Sequence, residues 1–489
     1  MASTGTKSNE NIPSALVSRT IRVVFISLLL DILAFTIILP LFPRLLQVYR
    51  DMEQGDESTI LSLFLRNVQM FREMIGGGGT NPKWDLVLLG GALGSLYSFL
   101  QFVASPFIGA CSDKYGRRTT LLVTMIGNIL STLIWLFAKS FGWFVLARVV
   151  GGLSEGNVQL SIAIVSDVTT HKSRSKGLAL VGIAFAISFT IGPALGAFFA
   201  SKDLAKLFPQ FVEWGLNPYS TPALVALILL SIETLYLYIS LPETASISHK
   251  STIRNETIKQ QPLESSSQSS LSVSKRRSNL KTLNWIHFLY LFFFSGMEFT
   301  LTFLTFDLFD FTNMQNGKLL GYIGILSALI QGGYVRRKAH KIGEKRLVVQ
   351  GILSCSIGLA IIASLTRMTD GITLLYVGAT FLAFTSATVV NCLTSIASMQ
   401  CDDNDEQQEE GNNSERVQHK NDPIPKGQAL GAFRSFGQLG RASGPFAACG
   451  LYWMAGSEMC YASGSLAVLI IFVIIIFKVP YVHKKPKVE

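Results

Sequence analysis

Seven ionisable residues stand inside long apolar runs of this 489-residue chain: Asp31, Arg148, Glu155, Glu233, Glu298, Arg434 and Arg441. On insertion scales a charge at the centre of an apolar helix costs roughly 2.5–3.5 kcal/mol, so the whole set facing lipid would cost on the order of 20 kcal/mol. Such groups are tolerable where they face one another or a water-filled cavity, and the chemistry open to them there is solute binding and proton exchange. For Asp31 two readings stand side by side. It is a structural acid paired with a neighbouring helix, or a proton-titrating or substrate-facing carboxylate. Arg148 and Glu155, seven residues apart in one run, are expected on one helix face two turns apart. Asn157 and Gln159 add polarity beside them. Glu298 and Arg441 each fall near the middle of their runs, and Arg148 and Arg441 read as cavity cations. Glu233 and Arg434 are weaker cases, because Arg434 is close enough to the end of its run to snorkel.

Other chemistries find no residues to carry them. The chain has no phosphate-binding loop, metal-ligand cluster or nucleophile constellation, so an enzyme, a metal site and a bound cofactor are not expected. The six cysteines lie in or beside apolar runs without metal-ligand spacing and read as small buried hydrophobes. The net charge of +10 is spread in short clusters between apolar runs, not gathered in one patch, which argues against nucleic acid.

The elements that hold these residues follow from composition. Charged residues make up 15% of the chain, hydrophobic ones 49%, and the mean hydropathy is +0.39. A soluble chain would carry about 25% charged residues, and the deficit with repeated apolar runs of about 20 residues points to a bilayer. Apolar runs lie at 21–43, 85–112, 119–138, 141–167, 177–200 and 221–241, and again at 283–310, 318–335, 346–365, 372–400, 427–454 and 461–480. The expected fold is therefore an all-α integral membrane protein with twelve transmembrane helices in two six-helix bundles, 21–241 and 283–480. A tail (1–20), a disordered Ser-rich linker (242–281), an acidic loop (401–426) and a second tail (481–489) complete the domain plan. With the N-terminus inside, 29 of the 42 Lys and Arg fall on inner segments, so both termini are expected in the cytoplasm. The N-terminus carries no cleavable signal pattern, so the first run is expected to stay as an anchor. The stretch from Arg44 to Trp84 reads as a long outer loop with a flexible tip at Gly76–Gly79, and the sequons at Asn255 and Asn412 fall inside.

Two motifs repeat between the halves. Gly109-x-x-x-Asp113-x-x-Gly116-Arg117-Arg118 forms a polar hairpin between the second and third runs, echoed after the eighth by Gly332 to Arg346, which keeps the cations but has no acid matching Asp113. Gly182, Gly192, Pro193 and Gly196 in the fifth run are echoed by Gly444-Pro445 in the eleventh. Proline bends a helix and glycine lets a neighbour approach, so these segments are expected to pack tightly at the seam of the halves. Paired features in two six-helix units mark a duplicated transporter fold.

The hairpin, Arg148-x-x-Gly-Gly152, Gly192-Pro-x-x-Gly196, and Leu30-Asp31 before Pro40-Leu-Phe-Pro43 together resemble the major facilitator superfamily, in its drug:proton antiporter branch. Gly152-Leu-Ser-Glu-Gly-Asn157, the Ser295-Gly-Met-Glu298 segment and Arg434 to Pro445 are similar to an animal tetracycline-transporter-like group of that superfamily. The resemblance implies alternating access about a midplane site. It implies amphiphilic, drug-like organic anions as substrates, with Arg148 and Arg441 attracting them and Asp31, Glu155 or Glu298 coupling to protons. Asp113 would latch the halves at the ends of the fourth and eleventh helices, and Arg117 and Arg118 would anchor the loop. The partners expected are a small organic anion, protons and lipid, for a monomer in the plasma membrane or an intracellular (vesicle or nuclear-envelope) membrane. A uniporter or symporter of a neutral metabolite and a non-transporting scaffold or sensor remain the alternatives.

Overall fold

The computed structural model describes residues 14–38, 41–53, 58–74, 82–202, 204–217, 219–244, 273–367, 370–401 and 424–479. Among them all regular structure is helical. The first set comprises α1 (Ser14–Thr36), α2 (Phe42–Met52), α3 (Ile60–Met74), α4 (Pro82–Tyr115), α5 (Arg117–Leu136), α6 (Phe141–Ser154), α7 (Asn157–Val168), α8 (His171–Ala200), the single turn α9 (Leu204–Leu207) and α10 (Ser220–Ser240). The second comprises α11 (Val273–Phe309), α12 (Asn313–Ile330), a π-helical turn (Gln331–Val335), α13 (Arg336–Ile342), α14 (Glu344–Ala363), α15 (Gly371–Met399) and α16 (Lys426–Lys478).

Among the described residues, nine helical stretches are long and apolar enough to cross a membrane. Their outer faces carry exposed apolar side chains such as Phe107, Ile239, Leu329 and Phe477, the distribution that hydrocarbon requires. The 53-residue α16 would run about 80 Å at 1.5 Å per residue, more than twice the roughly 30 Å hydrocarbon core. It is interrupted at Gly456, whose φ of 82° is open to glycine and strained for other residues. Buried apolar residues gather in two clusters. One is built from Val23 to Leu241, the other chiefly from Leu280 to Val479.

Several elements depart from what the sequence predicts. The first apolar run does not continue to residue 43, because α1 ends at Thr36 and a separate helix begins at Phe42. The following loop is built rather than slack. Leu45, Leu46 and Tyr49 form one buried stripe on α2, the Tyr49 hydroxyl donates to the Ala138 carbonyl at 3.2 Å, and Glu53 accepts the Phe141 N–H at 2.7 Å. Tyr49 packs its ring on Phe141 and Phe144. That stripe has helical spacing but is too short and too charged to be read as a span. The expected linker is helical from Val273 onward, so Lys275, Arg276 and Arg277 lie on the first turns of α11. Ser14–Thr20 of the expected first tail already belong to α1, while the rest of that tail, Gly76–Gly79, both sequons, most of the acidic loop and the second tail lie outside the described residues.

The glycine-proline segments divide their work. A Cβ at Gly192 would collide with the Thr36 hydroxyl and one at Gly196 with the Ile37 carbonyl, so these glycines seat α8 on the end of α1 within the first half. Gly182 alone of that segment meets the other half, at Asn391 and Gln331. Of the segment expected at the seam, Gly182 faces the other half and Gly192 and Gly196 face α1. Gly444 repeats the intra-half arrangement, admitting the Phe292 carbonyl as α16 crosses α11, and Pro193 and Pro445 sit inside α8 and α16. Gly196→Val is expected to lower stability by about 1–3 kcal/mol through overpacking. Gly321→Ala, where a Cβ meets nothing within 4 Å, should not. Thermal unfolding of the two variants in detergent measures the difference.

Candidate functional site

The hairpin between α4 and α5 joins the two halves. Asp113, in the last turn of α4, accepts the Gly427 N–H on Oδ1 at 2.8 Å and the Gln428 N–H on Oδ2 at 2.7 Å. These are unsatisfied donors of the first turn of α16, where the helix dipole also favours an anion. Arg117 donates to Asp113 at 2.8 Å, to Ser112 Oγ at 2.6 Å and to Asp167 Oδ2 at 3.0 Å. Asp167 lies at the end of α7, and its other oxygen is 3.7 Å from Lys426 Nζ. Ser398 of α15 donates to Ser166 of α7 at 2.7 Å, adding a second link between the halves at this end. The backbones come close because Gly109 and Gly427 face each other. A Cβ on either would collide with the carbonyl of the other.

A further acid secures the hairpin. Gly116, with φ of 97°, turns the chain, and Glu243 accepts the N–H groups of Arg117 at 2.9 Å and Arg118 at 3.1 Å. Arg118 donates to the Tyr238 carbonyl at 2.5 Å. The second half repeats part of this. Gly343 has φ of 92°, and two residues later Lys345 Nζ donates to the Ile476 carbonyl at 2.8 Å.

The acids inside the first half form one cluster. The fourth apolar run is not one helix. Glu155 is extended (φ −70°, ψ 94°) and separates α6 from α7, so it does not share a helix face with Arg148 as predicted. The two are nevertheless together, for both line a small cavity of about 40 Å³ with Asp31, Tyr97, Asn128, Ser131, Thr132 and Trp135. That is room for a few water molecules. Glu155 Oε2 receives Asn128 Nδ2 at 3.4 Å and the Tyr97 hydroxyl at 3.5 Å. Arg148 is buried among the rings of Tyr97, Trp135 and Phe144, with its charge centre 5.6–5.8 Å from each centroid, and its Nε has no partner. Asn157 begins α7 and donates to Glu233 Oε1 at 2.6 Å.

The second half holds the remaining charges. Glu298 on α11 is exposed, and the charge of Arg441 on α16 acts on it. Arg434 does not snorkel outward. It is half-buried, its Nε is unpartnered, and its charge acts on Glu155 and Asp31 across the seam. The structure therefore brings Asp31, Arg148, Glu155 and Asn157 together in one half and sets Glu298 and Arg441 in the other. Glu243 and Asp167 were missed because each sits at a helix end where the apolar pattern stops. Pro242, directly before Glu243, was the available signal.

Residues 24–404 match the Major Facilitator Superfamily. The chain belongs to that superfamily. It is a multi-pass membrane transporter, not an enzyme. Major facilitator superfamily domain-containing protein 10 of Homo sapiens is 34% identical over 458 residues, covering 91% of this chain and 90% of that one. The tetracycline resistance protein, class E, of Escherichia coli is 24% identical over 72% of this chain and 73% of its own. The crystal structure of the human organic anion transporter MFSD10 (TETRAN) superposes with a TM-score of 0.75 at 32% identity, covering 94% of this chain and 99% of that one. The E. coli fucose:proton symporter FucP shares the fold alone, with a TM-score of 0.62 at 11% identity over 94% and 98% of the two chains.

For this superfamily member the hairpin contact yields a direct expectation. Asp113→Asn removes the charge from both the Arg117 pair and the α16 terminus, and hydrogen bonds to a charged group are worth about 1.5–3 kcal/mol. Spin labels on the facing ends of α4 and α16 should report longer separations in D113N, and unchanged separations in K345Q.

Proposed function

We propose that this transporter carries amphiphilic organic anions across the membrane by alternating access, coupled to protons as an antiporter. The observation that carries the reading is Arg148, a buried guanidinium in a ring of three aromatic side chains, with one N–H unpartnered beside a polar cavity. Aromatic faces attract a cation and also suit the apolar body of an amphiphile, while the guanidinium supplies the anion's counter-charge. Arg441, exposed on α16 of the other half, is the second cation in this scheme. The reading is supported by 32% identity to a solved protein described as an organic anion transporter, and by the tetracycline resistance relative.

In this scheme twelve membrane helices form two bundles with both termini in the cytoplasm, α6 with α7 making one crossing and the arms of α16 two. The hairpin end is then cytoplasmic and Asp113 is the latch that holds it shut, while Asp31, Glu155 or Glu298 takes the coupled proton. The protein acts as a monomer. Proteoliposome uptake of a labelled organic anion, with and without a pH gradient, tests the scheme, and absence of uptake under both conditions overturns it. Arg148→Ala and Arg441→Ala should each slow uptake about tenfold or more, the loss expected for one charge-assisted contact. Normal uptake in both variants would remove the cation role. A protonophore should abolish the stimulation by the gradient.

A further inference from the structure

Glu233 of α10 is fully buried. Ser27 Oγ and Asn157 Nδ2 both donate to its Oε1, each at 2.6 Å, while Oε2 is buried with no partner. The charged groups facing it are themselves acids, Asp31 on α1 and Glu155 in the break between α6 and α7. No charged group on α5 or α8, which also pack on α10, acts on it among the described residues. The two nearby cations address other groups. Arg434 acts on Asp31 and Glu155, and Arg148 lies among its rings. Among the described residues, none of the three acids is within 4.0 Å of a cationic nitrogen.

Three neighbouring carboxylates in a poorly solvated bundle do not all stay ionised, because like charges there repel strongly and each loses its hydration. The hydrogen-bond pattern identifies which one is neutral. An oxygen accepting two donors behaves as the carbonyl of a carboxylic acid, and the oxygen without a donor is where the hydroxyl sits. An ionised Glu233 would instead leave a bare anionic oxygen buried, the costlier arrangement. Asp31 lines the polar cavity and Glu233 does not, while Asn157, which donates to Glu233, lies close enough for its side-chain amide to act on Asp31 as well.

We propose that Glu233 carries a proton in this conformation and is the proton store of the first half, exchanging with the cavity through Asp31. This rests on the proton-coupled reading above, takes Asp31 as the acid that meets the cavity, and adds Glu233 as the store behind it. The step is a simple proton transfer. The O–H bond on Glu233 breaks as one forms on Asp31, and Asp31 then releases the proton to cavity water, with nothing oxidised or reduced.

Infrared difference spectroscopy of the purified protein in lipid tests this without requiring transport. At neutral pH the wild type should show a protonated-carboxyl C=O band that shifts in D2O. Glu233→Gln, which keeps the acceptor for Ser27 and Asn157, should abolish it, whereas Asp31→Asn and Glu155→Gln should retain it. Glu233→Asp, kept as a second variant should the glutamine protein not fold, should move the band without removing it. A wild type lacking the band, or a Glu233→Gln protein retaining it, overturns the assignment. In Asp31→Asn the deuterium shift should develop about tenfold more slowly or worse, and an unchanged rate overturns the route. In proteoliposomes Glu233→Gln should lose the response to a pH gradient while still exchanging anion for anion. If wild-type flux ignores the gradient while the band behaves as stated, the coupling reading fails and the proton store stands.

Discussion

A charge buried in a membrane protein must be answered by something other than water, and the polar interior of this transporter is arranged by the few answers available. At the hairpin the answer is a helix terminus. The two oxygens of Asp113 take two N–H groups of α16, and Arg117 balances the charge while holding Asp167. In the first bundle the answers are amides, hydroxyls and aromatic faces, which meet Glu155, Glu233 and Arg148 without a close ion pair and leave Glu233 Oε2 and Arg148 Nε unpartnered. The first solution can be undone by moving one helix against another. The second is internal to a bundle and travels with it.

The duplicated halves share a framework and differ in what hangs on it. Each hairpin turns at a glycine with positive φ, and each places a cation two residues later against a backbone carbonyl near the end of that half's last helix. Each half seats a glycine-proline helix against its own first helix. The acids are where they part. Asp113, Asp167 and Glu243 all serve the first hairpin, so the carboxylates that join α4 to α16 come from one half while the helix terminus they engage comes from the other.

Much of this was legible in the sequence for simple reasons. Apolar runs and the bias of Lys and Arg speak for membrane crossing, and Gly-x-x-x-Asp-x-x-Gly-Arg-Arg is a turn that hydrocarbon cannot hold. The grouping of Asp31, Arg148, Glu155 and Asn157 was approachable because charges inside apolar runs need company. What stayed hidden depends on contacts between distant segments. The break at Glu155 falls in Ser154-Glu155-Gly156-Asn157, polar residues and a glycine that read equally well as the polar face of one continuous helix. Arg434 reads as a snorkelling residue until α16 is set against the first half. Glu233 reads as marginal, because its significance lies in Ser27 and Asn157, which are 206 and 76 residues away. The helix α2 was lost to a length criterion suited to spans.

The folded segment between α1 and α4 has a practical meaning. Tyr49 and Glu53 fasten its first helix to Ala138 and Phe141, whereas α3 reaches the other half, with Val68 in that half's apolar cluster and Phe71 edge to face with Phe446, centroids 5.8 Å apart. Met52 and Met74 stay exposed on it. A fluorophore attached at Met52, on the α2 end, is therefore mounted on the first half as on a bracket. Part of what reads as a long outer loop thus offers a fiducial mark against which the orientation of the second half can be followed.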